Sequence, residues 1–364
     1  MDHNGPVPRF EPFAGIRYAP TVDMDEVSAP PYDVMSDAER ASYAAKHRAN
    51  AVRYDAPVGP TAYDDAASTL AGLLDDGTLV RDDSPSLYLY RMSRGSQHTT
   101  GVIGALGIGD DDVLPHEQTT KKAKSDRLDL LRSTRANLSP IWGLSLAKGL
   151  AELTAPDGPA DARAVDPDGV VHELWRIADP VRIGQIVERV ESEPVVIADG
   201  HHRYETCGAY RSERGAGGGD WDLTMTYVVE LTEDELDVQP IHRLLRGRPA
   251  TEIADAIDLP PGDAMTLVGP GGGSWTFGRK PDGPELDTEQ LADALRAVDG
   301  VEVSYQHGDV AALVDAGEAD AAVVMKPVTV ATIRAVADRR DRMPPKTTFF
   351  YPKPRTGFVL RDLG

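Results

Sequence analysis

The sequence predicts an α/β (α+β) protein with a mixed sheet and a second, smaller α/β lobe. Three observations carry this. Helical and strand-like segments alternate along most of the chain, hairpin signals interrupt the alternation, and past about residue 248 the punctuation shifts to runs of Pro and Gly. A chain of 364 residues can bury a substantial core and suggests two or three lobes. The expected division is a core over 1–248, an accessory lobe over 249–342, and a segment over 343–364 that returns to the core.

The first thirty residues, rich in Pro and Gly, predict extended chain lying over a surface. Residues 29–34 (Ala-Pro-Pro-Tyr-Asp-Val) predict a stiff extended piece, because each Pro restricts its own φ and the residue before it. Ser36 and Glu39 have capping-box spacing, which opens a helix through about His47. A helix over 63–76 stops at Gly77. A strand over 86–92, a turn at 93–97 and a strand over 99–108 form a hairpin. A hydroxyl-rich loop holds residues 115–120. A helix over 125–134 and a strand over 140–145 follow, and 155–168 read as an exposed connection. The sequence then predicts a strand over 172–177, a helix over 180–190, a strand over 194–198 and a helix through about Arg211. Strands over 223–231 and 236–241 close the first part. The later lobe ends with a strand over 321–325 and a helix over 329–339.

Charge narrows the function classes. The chain carries 38 basic against 59 acidic residues, a net charge of −21, and only nine of the basic residues are lysines. An aspartate-rich, lysine-poor surface suits a cytoplasm of very high salt, so a halophile is the economical source. A nucleic-acid binder needs a basic face, and none is expected here. No apolar run reaches a membrane span and no signal-peptide core opens the chain, so a soluble cytoplasmic protein is expected. Whether it forms a homodimer stays open. The lone Cys207 reads as a small buried residue. No G-x-x-x-x-G-K-[ST] and no G-x-G-x-x-G is present, which excludes a P-loop and a Rossmann fingerprint.

The most informative stretch is Val195-Val196-Ile197-Ala198-Asp199-Gly200-His201-His202-Arg203. A β-branched run ending in Asp-Gly before a helical segment predicts a strand, a tight turn and a helix N-terminus. Such an end presents unpaired N–H groups and a positive dipole, a ready anion site. Gly200 lets backbone approach a ligand, and the Arg203 fork suits a phosphate. Asp199, at the strand end, is placed for a metal ion or a substrate hydroxyl. Three of the nine lysines sit at 121, 122 and 124, and two at 346 and 353, which makes these segments candidate anion ligands. Glu117, beside His116, could take a hydroxyl proton or hold a metal. Lys124, Arg127, Arg132 and Arg135 form an acid-poor patch, with Arg127 the best ligand candidate. His242 and Arg243 are expected directly after a strand, at the same kind of edge as Asp199.

Six ordered motifs carry a resemblance: A-P-P-Y-D-V (29–34), H-E-x-T (116–119), K-x-D-R-L-x-L-L (124–131), A-D-G-H-H-R-Y-E-T (198–206), H-R-L-L (242–245) and M-P-P-K-T-T-F-F-Y-P-K (343–353). From Phe10 onward the chain resembles the prokaryotic family of unknown function number 1015, with a weak match over 250–320. The family often has Ser where Thr347 stands, which keeps the hydroxyl. The D-G-H-H-R segment is also similar to the phosphate motif of the ParB/sulfiredoxin-like superfamily, which includes kinases of free serine. The resemblance implies a ParB/sulfiredoxin-like core and an ATP- or ADP-dependent kinase that makes O-phosphoserine with Mg2+ from L-serine or a similar hydroxyl metabolite. On that reading Gly200, His201, His202 and Arg203 hold nucleotide phosphates. Glu117, Asp199 and His202 are the catalytic candidates, Asp199 or Glu117 the base or Mg2+ ligand. His116, Lys124, Arg127, His242, Arg243, Lys346 and Thr347 are supporting ligands. A ParB-like nucleotide switch without turnover and a phosphohydrolase are the competing classes.

Overall fold

The computed structural model describes residues 8–115, 124–215 and 217–364, with backbone alone for 124 and 125. They form two compact units: residues up to Asp237 together with Pro352–Gly364, and Val238–Tyr351. The mixed α/β class expected from the alternation of elements is observed.

The first unit is built on a nine-stranded mixed sheet. From one edge the strands run Val113–Pro115, Val195–Asp199, Ile141–Ser145, Leu223–Glu230, Gln97–Gly107, Leu87–Arg94, Val171–Ile177 and Ala162–Val165, and Phe10–Glu11 pairs onto Gln97–Gly107. Val195–Asp199 lies parallel to Val113–Pro115, and Ile141–Ser145 parallel to Leu223–Glu230; the other pairs are antiparallel. Parallel neighbours buried on both faces read as continuous apolar runs, and Val195–Ala198 is such a run, buried throughout. Leu89, Val102, Leu106, Val195 and Ile197 share one core with Ile186 and Val190 of the helix Pro180–Glu191. That helix starts where Asp179 accepts from the N–H groups of Val181 and Arg182, with Pro180 in its first turn. Each fully buried side chain of this size contributes about 1.5–3 kcal/mol.

Several expectations from the sequence are met closely. The Ser36–Glu39 capping box opens a helix at Asp37–Lys46, and Ala62–Asp75, Lys124–Thr134 and His201–Arg214 are helical. The hairpin Leu87–Arg94/Gln97–Gly107 turns on Gly95-Ser96, where Gly95 takes the positive φ of 60° that a tight hairpin needs.

Others need correction. The early chain is not simply extended: it forms strands Phe10–Glu11 and Ile16–Tyr18 and a short helix Met24–Val27, started by Asp23 accepting from the Asp25 N–H. Residues 29–34 are extended only through the prolines. Tyr32–Val34 closes a 3-10 turn, with the Val34 N–H donating to Pro31 O, because proline restricts itself and the residue before it but not those after. The connection 155–168 contains the edge strand Ala162–Val165, held in a hairpin by Asp166, which accepts from the N–H groups of Asp168 and Val170. His242 and Arg243, expected just past a strand, lie inside one, His242–Arg246.

The final stretch, Pro352–Gly364, is stitched into the first unit. Ala29 and Thr356 exchange backbone hydrogen bonds, as do Ile16 and Leu360, and Arg361–Asp362 pairs with Ala136–Asn137. Arg355 is buried and donates to Ser28 Oγ and O at 2.9 and 2.8 Å.

The second unit holds a five-stranded antiparallel sheet in the order Gly273–Phe277, Pro261–Gly269, Ala321–Met325, His242–Arg246, Glu302–Gln306. Ile253 and Leu291, from helices Ala250–Ala256 and Asp287–Arg296, pack with Met265, Leu267 and Val323 in its core. Among the described residues no helix is long and apolar enough to cross a membrane.

Candidate functional site

The strand Val195–Asp199 delivers its last residue to the helix His201–Arg214 through a single residue, Gly200. A register shift against Ile141–Ser145 falls between Ile197 and Asp199, so a bulge at Ala198 re-aims the strand end. Gly200 adopts φ 84° and ψ 26°, the left-handed region, and a Cβ there would lie 3.0 Å from Arg203 Nε. The backbone conformation calls for glycine, and a Cβ would also press on the Arg203 side chain. No side chain caps the helix that follows, and its first turn carries no acidic residue. Its N-terminal amides and dipole therefore act without a built-in counter-charge.

Two cations converge on the strand end. Lys353 Nζ donates to Asp199 Oδ1 at 2.6 Å and Arg203 Nη2 to Oδ2 at 2.9 Å. The side chains of Lys353 and Arg203 are each 13% exposed and that of Asp199 24%. Arg203 also donates through Nη1 to Ser139 Oγ at 3.2 Å and to Pro140 O. Burial alone would raise the Asp199 carboxyl, but the charges of Lys353 and Arg203 outweigh it and pull it down to about 2. Burial works against both cations as well; Asp199, with Asp33 beside it, holds each above its ordinary value. Arg203 Nε and His202 Nδ1 are buried and have no hydrogen-bond partner among the described residues. Buried donors and acceptors are nearly always satisfied, so two orphaned nitrogens at one helix end point to something that binds there.

A cleft open to solvent begins at Arg203 and extends along the same helix past Thr206 and Cys207. Leu130, Leu131 and Thr134 of the helix Lys124–Thr134 line another side, with Tyr32, Asp55 and Arg127. Arg127 Cζ lies 3.7 Å from the centroid of the Tyr32 ring, and its Nη1 donates to Asp55 O at 2.6 Å. The buried Asp55 accepts from Thr356 Oγ1 at 3.1 Å, and burial pushes its carboxyl above the usual range despite Arg127 and Arg203.

The structure thus joins Asp199, Gly200, His201, His202, Arg203 and Arg127 in one unit. His116 and Glu117 lie outside the described residues; Lys124 opens its helix, with its side chain likewise undescribed. His242, Arg243, Lys346 and Thr347 belong to the second unit. There His242 Nδ1 accepts from the Met325 N–H at 3.0 Å, and Arg243 donates to Ile241 O at 2.6 Å and Lys346 O at 3.2 Å. Thr347, buried, donates to Pro344 O at 2.7 Å. The sequence reading of Asp199 as metal ligand or base meets a different placement, since each of its oxygens faces a cation. Among the described residues no group of three or more His, Cys, Asp or Glu side chains is arranged to hold a metal ion. Sequence reasoning did not single out Lys353 as the partner of Asp199, nor Tyr32, Asp55 and Thr356. The retention of lysine at 346 and 353 was the available signal for the first; the buried Asp55 left none.

The family model described as "Protein of unknown function (DUF1015)" matches residues 10–259. The chain belongs to this family. No curated protein matches it. Among solved structures it is similar to SbnI with a C-terminal truncation from Staphylococcus aureus, at 12% identity over 70% of this chain and 85% of that one, with a TM-score of 0.44. It is also similar to a free serine kinase variant in complex with AMP, at 16% identity over 70% and 89%, TM-score 0.43. A third likeness is to a conserved hypothetical protein from Pyrococcus furiosus, at 15% identity over 68% and 90%, TM-score 0.40.

Proposed function

We propose that the first unit is a nucleotide-dependent phosphotransferase acting on the hydroxyl of a small metabolite, with free L-serine the acceptor to test first. The observation that carries the reading is the Gly200 corner: an uncapped helix N-terminus beside a buried arginine with an unused Nε and a lysine, both held by Asp199. Phosphoryl transfer asks mainly for positioning and for positive charge around the moving group. The helix amides would hold the terminal phosphate of ATP or ADP, with Arg203 and Lys353 facing its oxygens. The acceptor oxygen bonds to that phosphorus as the bond to the bridging oxygen breaks, and the leaving nucleotide carries away the charge these cations neutralise.

Asp199 orients the two cations. A carboxylate held near pH 2 is a poor proton acceptor at neutral pH, because general bases work best with a pKa near the operating pH. Glu117 and His202 stay the candidates for taking the hydroxyl proton. With both oxygens facing cations, Asp199 does not fit a divalent metal, and no step is assigned to a metal held there.

The test is incubation of the full chain with ATP or ADP, magnesium and L-serine at high salt, with 31P detection. O-phosphoserine is the expected product. Nucleotide binding without transfer to serine would favour the regulatory class, release of inorganic phosphate the hydrolase, and absence of any nucleotide binding would overturn the reading.

A further inference from the structure

Lys353 reaches Asp199 from a stiff piece of chain, Pro352-Lys353-Pro354, in which each proline fixes its own φ and restricts the residue before it. Such a piece passes movement from one end to the other, so the bonds of the next residue matter. The Arg355 N–H donates to Tyr90 Oη at 3.0 Å, and Tyr90 Oη lies 2.8 Å from His172 Nδ1. Tyr90 and His172 are both buried. The Tyr227 and Phe358 rings meet the Tyr90 ring edge-on, with centroids 5.5 and 5.1 Å away, which fixes where the hydroxyl lies. His172 Nε2 lies 3.3 Å from Asp166 Oδ2. Among the described residues the Tyr90 proton has no acceptor other than Nδ1, so the network assigns the imidazole proton to Nε2, facing Asp166. The chain from the Arg355 amide through Tyr90 and His172 to Asp166 is thus satisfied with a neutral imidazole.

We propose that Tyr90 and His172 are positioning residues for Lys353, holding it on Asp199 while His172 is neutral and loosening it when His172 takes a proton. The part Lys353 plays in binding rests on the phosphate reading of the Gly200 corner. A proton added at Nδ1 faces the hydroxyl hydrogen of Tyr90. The hydroxyl must then turn away inside the core, and a buried donor left unpaired is penalised. The new charge also stands close to Arg355, whose buried guanidinium donates to Ser28 Oγ and O. Asp166, Tyr90 and Arg355 are the titratable or charged groups that face the ring; its cross-strand neighbours, Met92 and Ala164, are apolar, as is Phe358. Burial holds the imidazole below its ordinary value, Arg355 adds to this, and Asp166 opposes it. A depressed histidine provides its stability in full above about pH 6.5 and loses it as the pH falls toward its folded value, so the pin weakens in acid.

Two measurements on the full chain at high salt, from pH 7.5 down to 5, test this. Hydrogen exchange at the Arg355 amide, corrected for the intrinsic effect of pH, should lose about tenfold in protection as the pH falls, as expected for one hydrogen bond. ATP affinity by calorimetry should decline over the same range. In His172→Gln, whose side-chain oxygen still accepts from Tyr90 but takes no proton, both slopes should flatten. Protonation of ATP, the histidines at the corner and the bond from Thr356 to Asp55 are common to both proteins, so the difference between their curves reads His172. Tyr90→Phe should lower Arg355 protection and ATP affinity already at pH 7.5. Superimposed curves for the unaltered protein and His172→Gln would overturn the proposal, and so would Arg355 protection in the unaltered protein that ignores pH. If ATP binds at no pH while Arg355 protection still falls in acid, the phosphate reading of the corner fails and the pin stands.

Discussion

Two segments of this chain place histidine directly before arginine, yet they do opposite things. In His201-His202-Arg203 the residues follow a strand end and a left-handed glycine, and they open a helix whose N-terminus no side chain caps. In His242-Arg243 they lie within a strand of an antiparallel sheet. There His242 accepts a backbone N–H from the neighbouring strand, and Arg243 donates to nearby carbonyls. The same side chains become ligand candidates or stitching according to whether the backbone around them leaves amides over. The lesson is that residue type names the chemistry available, and the backbone decides whether it is spent internally.

That contrast can be broken, beginning with its largest expected consequence. Arg203→Ala should lower nucleotide affinity about 100-fold by calorimetry, since hydrogen bonds to charged groups are worth about 1.5–3 kcal/mol each. A loss of the same size from Arg243→Gln would erase the distinction between the two segments. Asp199→Asn should cost on the order of 2 kcal/mol of stability at neutral pH, following from a carboxyl held at about 2 against its ordinary 3.8. The sign is fixed by linkage: a depressed carboxyl stabilises the fold above its unfolded pKa, and the benefit fades as pH falls from about 4 toward 2. Denaturant titrations at pH 7, 4 and 3 should show that decline in the unaltered protein and a shallower one in the variant, where Asp222, Asp82 and Asp166 still contribute. Gly200→Ala should cost about 1–2 kcal/mol by thermal unfolding, the penalty for a Cβ in the left-handed region. It should also weaken nucleotide binding by crowding Arg203, whose Nε would stand 3.0 Å from the new atom. The smallest effect belongs to His242. Burial, helped by Arg243, holds its imidazole below the ordinary pKa, so the stability it provides is complete above about pH 6.5 and falls as the pH drops toward its folded value. His242→Gln should flatten that slope without changing nucleotide affinity; a change in affinity would return His242 to the ligand set.

Much of the first unit was readable because its signals are local. The capping box at Ser36 and Glu39, the hairpin turning at Gly95 and the strand–glycine–helix corner at Asp199 are each written within a dozen residues. What escaped was long-range or contextual. Nothing near Lys353 says that its ammonium meets Asp199, and Asp55 looks like any other acid until Thr356 and Arg127 close around it. The turn at Tyr32–Val34 was hidden by the two prolines before it, whose restriction reads as stiffness but ends where they do. The strand expected over 236–241 put His242 and Arg243 just past its end; the structure ends that strand at Pro240 and begins a new one at His242.

The bond between Lys353 and Asp199 spans 154 positions, and the whole second unit, Val238–Tyr351, is made between the long first part of the other unit and its short closing segment. During synthesis Asp199 can meet Arg203 before Lys353 has been made, because all of Val238–Tyr351 comes first. The entropic cost of closing so long a loop grows only with the logarithm of its length. Competence would then arrive late and abruptly, as a latch rather than a gradual ripening, and an incomplete polypeptide would be poorly equipped to trap a nucleotide before it had been finished.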